Sequence, residues 1–280
     1  MVIELFKDPA YVINLITKIV AIAAIVTATQ SLSHFRSLYI SDGLLQWRTL
    51  RKFHRFSHIH IINFILDRFL DTRGIFLILA IRLIASVILL FFHLSHLWSS
   101  IMIFIIFFSL ALTVYREIKF LDAGYSFLLM LCAALWVQSW SPTSHMVQKA
   151  FLFFLSFQLV LAYTTLGFRK LSQQEWRSGH VGVTIFRDPS WVFRRFLHLG
   201  WNSPDLVARS EQLLIIWQMS FPFILILESP YYLIYILVGV LFHFINALFM
   251  GLNVFLFSWL AAYPALIYTH NWLQQHVLTL

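Results

Sequence analysis

Charge is scarce in this sequence. Only 11% of its 280 residues are Asp, Glu, Lys or Arg, whereas 60% are hydrophobic and 29 are phenylalanine. So little polar surface cannot cover so much apolar surface in water, which excludes a soluble globular domain. Cysteine is almost missing too: Cys132 stands alone, so no intramolecular disulfide can form and redox compartment is left unmarked. Adjacent histidines are absent, and with them the paired boxes that membrane di-iron hydroxylases and desaturases need. Internal repeats, low-complexity tracts and nucleic-acid-binding motifs are also lacking. No small-residue cleavage site follows the first apolar stretch, Pro9 to Leu32, so that stretch reads as a retained helix.

What is present is a series of long apolar runs, with a mean hydropathy of +0.79. In lipid every backbone N–H and C=O must be satisfied within its own helix, so such runs read as spanning helices. About eight spans are expected, near 9–32, 75–94, 97–115, 123–140, 150–168, 211–228, 231–248 and 250–269. The last break, near Met250-Gly251, rests on length alone, which leaves seven or nine as alternatives. The expected fold class is all-α: a polytopic integral membrane helical bundle with interfacial amphipathic helices, forming one domain over residues 1–280.

Two polar connections, Ser33 to Gly74 and Arg169 to Ser210, each carry seven of the 20 Lys and Arg residues. Lys7 and Lys149 fall on the opposite side, and Lys18 and Arg82 lie inside spans. The positive-inside rule then places both connections in the cytoplasm and both termini outside, as in a multi-pass cell-membrane protein. The partner this implies is the lipid bilayer, with no nucleic acid. Arg48, Arg51, Lys52 and Arg55 share one helical face opposite Leu50, Phe53 and Phe56, the pattern of a headgroup-anchoring helix.

Several polar groups are placed where chemistry is conceivable. His54, His58 and His60, and His93 with His96, have spacings that can share a metal, but the match to known boxes is poor and no metal site is assigned. Arg82 lies about 10 Å into its span and needs a partner or a wet cavity. His243 and Asn246 share one face of an uncharged apolar helix, as helix-joining glue or as a site. In the stretch GFRKLSQQEWRSGH, Lys170 reaches the membrane boundary beside Arg169, with Trp176 set to anchor at headgroup level. Desolvation and a neighbouring cation disfavour a charged ammonium, so a lysine there can act as a base; it can equally end the span as a stop-transfer charge.

The string built on Tyr163, Gly167, Lys170, Leu171, Trp176 and Gly179 resembles the central motif of the HTTM family, the membrane domain of vitamin K-dependent gamma-carboxylases and their bacterial relatives. FHFINALFMGLNVFLFSWLAAYP resembles that family's late membrane segment, and the opening span followed by LYISDGLLQW has its look. The resemblance implies a membrane enzyme or maturation factor acting on a peptide or a lipid-soluble, quinol-like substrate. Lys170 takes the place of the lysine base that activates a reduced quinone, which oxygen converts to an epoxide by way of a strong alkoxide base. His243 matches the second block as a further catalytic candidate. Asn246, Arg169, Trp176, Tyr125 and Arg82 complete the candidate cavity.

Two departures from the family are visible. Tyr125 stands where carboxylases have a functional histidine, and the sequence ends at Leu280 without their large soluble region, so full glutamate carboxylation is not expected. The carboxylase lysine also faces the lumen, whereas the charge distribution puts Lys170 on the cytoplasmic side. The competing reading is a non-catalytic membrane subunit that holds a partner protein. A transporter is weaker, since paired broken helices are not seen.

Overall fold

A computed structural model describes residues 2–40, 43–53, 59–118 and 122–278, and the described residues are helical, with no strand among them. Five helices are long and apolar enough to cross a membrane: α1, Pro9–Ser33; α2, Thr72–Phe91; α3, His96–Glu117; α5, His145–Leu171; and α7, Tyr231–Met250. Shorter apolar helices follow the same chain: α4, Ala123–Gln138; α6, Pro204–Met219; α8, Asn253–Leu260; and α9, Tyr263–Leu273. The expected break after residue 250 is present, because Gly251 takes φ +72 and closes α7. The stretch expected at 250–269 is two helices instead, hinged at Ala261 and Ala262 ahead of Pro264, which occupies the first turn of α9.

The chain divides into two compact units, residues 14–151 and residues 1–13 with 152–280. In the first unit α2 packs on α3 and α3 on α4. Asp122 starts α4 by accepting from the backbone N–H groups of Gly124 and Tyr125 at 2.8 and 3.1 Å, filling donors that a helix start leaves open. Asp71 does the same for α2 through Gly74 at 2.6 Å. The first polar connection folds onto this unit through Tyr39, Trp47 and Leu70, which pack with Ile75, Ile78 and Leu79.

The expected amphipathic helix over 48–55 is only partly regular. A four-residue helix, Trp47–Leu50, tightens into a 3-10 turn at Arg51–Phe53. Arg55 and Phe56 lie outside the described residues, as do His54 and His58. Asp67, on the helix His60–Leu70, draws this turn in by accepting from Trp47 Nε1 at 2.7 Å and Arg51 Nη1 at 2.5 Å.

In the second unit α5 is the central element. A side chain at Gly167 would put its Cβ 2.8 Å from the Met219 backbone nitrogen at the end of α6, so glycine lets the two helices touch there. The second connection supplies three short helices, Gln174–Arg177, His180–Arg187 and His198–Asn202. Gly179, at φ +73, turns the chain between the first two against Ala208.

Candidate functional site

Tyr163 lies wholly buried on α5, two turns before Lys170, and its hydroxyl is 2.6 Å from His243 Nε2 and 2.6 Å from the Tyr263 hydroxyl. One hydroxyl thus joins α5, α7 and α9. Trp217, Phe221 and Trp259 surround its ring with centroids at 4.9, 4.2 and 4.7 Å. His243 stacks on Trp259 at 5.0 Å and meets Phe255 edge-on at 4.4 Å.

Three buried polar atoms beside this group have no hydrogen-bond partner among the described residues: His243 Nδ1, Trp217 Nε1 and Gln218 Oε1. Gln218 lies against Gly167, so all three border the Tyr163–Gly167 face of α5. Either tautomer of His243 leaves Nδ1 open, as a bare acceptor or as an unused N–H. Proteins bury few such atoms, and a cluster of them among aromatic rings is a polar foothold in an apolar setting.

Lys170 ends α5, half-buried, with Nζ 4.5 Å from the centre of the Trp176 ring. The motif that the sequence singles out is therefore folded back on itself, its lysine held by its tryptophan through a cation–π contact. Arg169, next in line, is exposed. Glu211 on α6 is the nearby carboxylate that sequence reasoning passed over. It is buried, lies within electrostatic reach of Lys170, and accepts from the Gly182 N–H at 2.6 Å. That bond satisfies one of the open donors in the first turn of His180–Arg187. The available signal was that Glu211 is the only carboxylate between Leu206 and Leu227. Tyr263 was also passed over; one hydroxyl among several in an uncharged apolar run gave no spacing to read.

Asn246 does not join His243. Its Nδ2 donates to Phe242 O, one turn back on its own helix, at 2.9 Å.

In the other unit Arg82 is wholly buried among neutral acceptors. Its Nε donates to Ser109 Oγ at 3.1 Å, Nη1 to Thr27 Oγ1 at 3.3 Å, and Nη2 to Ser109 O at 2.7 Å and to Thr113 Oγ1. Tyr125 and the carboxylate of Glu117 lie within its electrostatic reach. Lys18, the other cation inside a span, donates to Leu89 O and Leu90 O at 2.7 Å each, where the last carbonyls of α2 lack helical partners.

No group of three His, Cys, Asp or Glu residues with metal-holding geometry occurs among the described residues. His93 and His96 are exposed at the link between α2 and α3. An open cleft of about 380 Å³ lies in the second connection, walled by His180, Arg187, Asp205 and their neighbours. No family model, curated protein or solved structure matches the chain.

Proposed function

We propose that this is an HTTM-like membrane enzyme or maturation factor that acts on a lipid-soluble, quinol-like or peptide substrate, with Lys170 as its base. The observation that carries this reading is the Tyr163–His243 hydrogen bond at 2.6 Å. It joins the two sequence blocks on which the resemblance to gamma-carboxylases rests, and it leaves His243 Nδ1, Trp217 Nε1 and Gln218 Oε1 unfilled alongside.

A reduced quinone fits these residues by chemistry, since flat aromatic walls accept a ring and unfilled polar atoms accept or donate to its oxygens. When bound, such a group supplies with oxygen the strong base for proton abstraction. The protein's own part is to take a proton at Lys170 Nζ when that amine is neutral, to hold the resulting ammonium on the Trp176 ring and near Glu211, and to keep His243 fixed through Tyr163.

The same reading gives about eight crossings of a cell membrane. The Phe193 N–H donates to Phe249 O at 2.9 Å, so the end of α7 meets the connection into which α5 runs. That contact supports α5 and α7 pointing the same way, with the chain between them crossing back. α6 with the 3-10 turn Phe221–Leu225 spans roughly 34 Å, enough for a bilayer core. α8 and α9 together run roughly 31 Å along the chain, and the far end of α9 returns to that turn through His270 Nδ1 to Ile224 O at 3.0 Å. On this reading both long connections lie in the cytoplasm, which the positive-inside rule favours.

The test is oxygen uptake by the purified protein in lipid with a panel of reduced quinones, comparing wild type with Lys170→Ala and assaying for epoxide. Lysine-dependent uptake with epoxide is expected. Uptake no higher than that of Lys170→Ala, with quinone binding confirmed, overturns the reading. It would favour instead a non-catalytic membrane subunit that holds a partner protein, a role for which the Lys170–Trp176 contact is simply an anchor.

A further inference from the structure

We propose that residues 172–203 form a shelf lying in the bilayer interface, which binds acidic phospholipid headgroups through Arg187, Arg194 and Arg195. Position comes first. The shelf leaves the end of α5 and is pinned to the end of α7 by the Phe193–Phe249 backbone bond and by Phe196 and Phe186 rings on Phe249, at 4.4 and 5.6 Å. Both helices are of spanning length, so this is the membrane edge.

Exposure points the same way. Trp191 and Trp201 are each 62% exposed and Phe193 49%. Three large rings open to solvent on one short segment are unusual for a water-facing loop, whereas indole and phenyl rings are at home at headgroup level.

Charge then selects the lipid. Between residues 169 and 210 there are seven Lys and Arg against Glu175, Asp188 and Asp205. The guanidinium of Arg187 is 4.7 Å over the Trp201 ring and its Nε donates to Gly200 O at 2.8 Å. Arg195 is 4.7 Å over Phe196. None of the three arginines makes an ion pair among the described residues. A guanidinium already held by a ring, with its terminal nitrogens unpaired, loses little freedom on meeting a phosphate. Arg187 also lines the cleft of about 380 Å³ with His180, which gives a headgroup depth as well as charge; Asp205 is the single carboxylate in that wall.

The test uses the full chain in nanodiscs of phosphatidylglycerol and phosphatidylcholine, with retained lipid read by native mass spectrometry. Wild type is compared with Arg194→Gln/Arg195→Gln and with Lys7→Gln/Lys149→Gln, which removes the same charge elsewhere. Quenching by lipids brominated near the headgroup is followed in wild type and in Trp191→Phe/Trp201→Phe. We expect preferential retention of phosphatidylglycerol, a loss of that preference by roughly 25-fold in the shelf variant, little change in the control, and less quenching without the two indoles. Equal retention of both lipids by wild type, equal loss in both charge variants, or unchanged quenching in the indole variant overturns the proposal; the last would mean that the rings face a partner other than lipid.

Discussion

The Tyr163 hydroxyl ties His243 to Tyr263, with 2.6 Å on either side. An oxygen with one proton serves both contacts, so it donates to one neighbour and accepts from the other. Tyr163→Phe keeps the ring and removes both bonds. Leaving two buried polar groups unpaired is predicted to cost roughly 1–3 kcal/mol for each. Tyr263→Phe removes one bond and should cost less. Thermal unfolding in one detergent checks the order; equal melting of Tyr163→Phe and wild type would sink it.

Lys170 separates anchoring from catalysis because arginine can also stack on Trp176 but stays protonated. Lys170→Arg should therefore preserve stability and lose the quinol-dependent uptake, by roughly a hundredfold or more if the lysine is a general base. Retained uptake in Lys170→Arg would show that the proton goes elsewhere.

Arg82 illustrates how a buried charge can be satisfied by neutral acceptors. Each hydroxyl around it gives its own proton to a backbone carbonyl, Ser109 to Ile106 at 2.9 Å, Thr113 to Ser109 at 2.8 Å and Thr27 to Ala24 at 2.8 Å, and accepts from the guanidinium. Arg82→Met leaves those hydroxyls still bonded, so it should be milder than a change that strands the charge. Thr113→Val is predicted to cost roughly 1–3 kcal/mol in wild type and much less in the Arg82→Met background. A double-mutant cycle reads the difference, and additive costs would contradict it.

The helical class and the five helices long and apolar enough to cross a membrane were legible, because an apolar run of bilayer length has few other uses. Tyr163, Lys170 and Trp176 were legible as a motif, and His243 as a polar group in an uncharged helix. Their pairing was not, since eighty residues separate Tyr163 from His243 and only packing brings them together. Lys18 shows the reverse limit: the sequence marks it only as a cation inside an apolar run, and its bonds depend on where α2 ends. The amphipathic face at 48–55 was read with an α-helical period, and a 3-10 turn at Arg51–Phe53 breaks that period.

Lys18 closes the end of α2 by charge as well as by hydrogen bonds, because a cation is favoured at a helix C-terminus. Lys18→Met fits the apolar surroundings but leaves the Leu89 and Leu90 carbonyls unfilled. A loss of roughly 1–3 kcal/mol is expected, with faster hydrogen exchange confined to the last turn of α2. Exchange rising uniformly along the helix would point to general loosening.

Asp188 sets the turn that presents Trp191 on the shelf. Its carboxylate accepts from the Ser190 hydroxyl at 2.7 Å and the Ser190 N–H at 2.8 Å, and these two bonds hold its pKa below the ordinary value. A carboxyl whose folded pKa is depressed contributes stability above the unfolded value of about 4, and that contribution fades as pH falls through the lower folded value. Acid below about pH 4 should therefore loosen this turn, visible as a change in the fluorescence difference between wild type and Trp191→Phe. Ser190→Ala removes the hydroxyl, the larger of the two causes, so the midpoint of that change should move up towards the ordinary carboxylate range. An unmoved midpoint would mean that the turn does not depend on this carboxylate, and that Trp191 is held at the shelf by its other contacts.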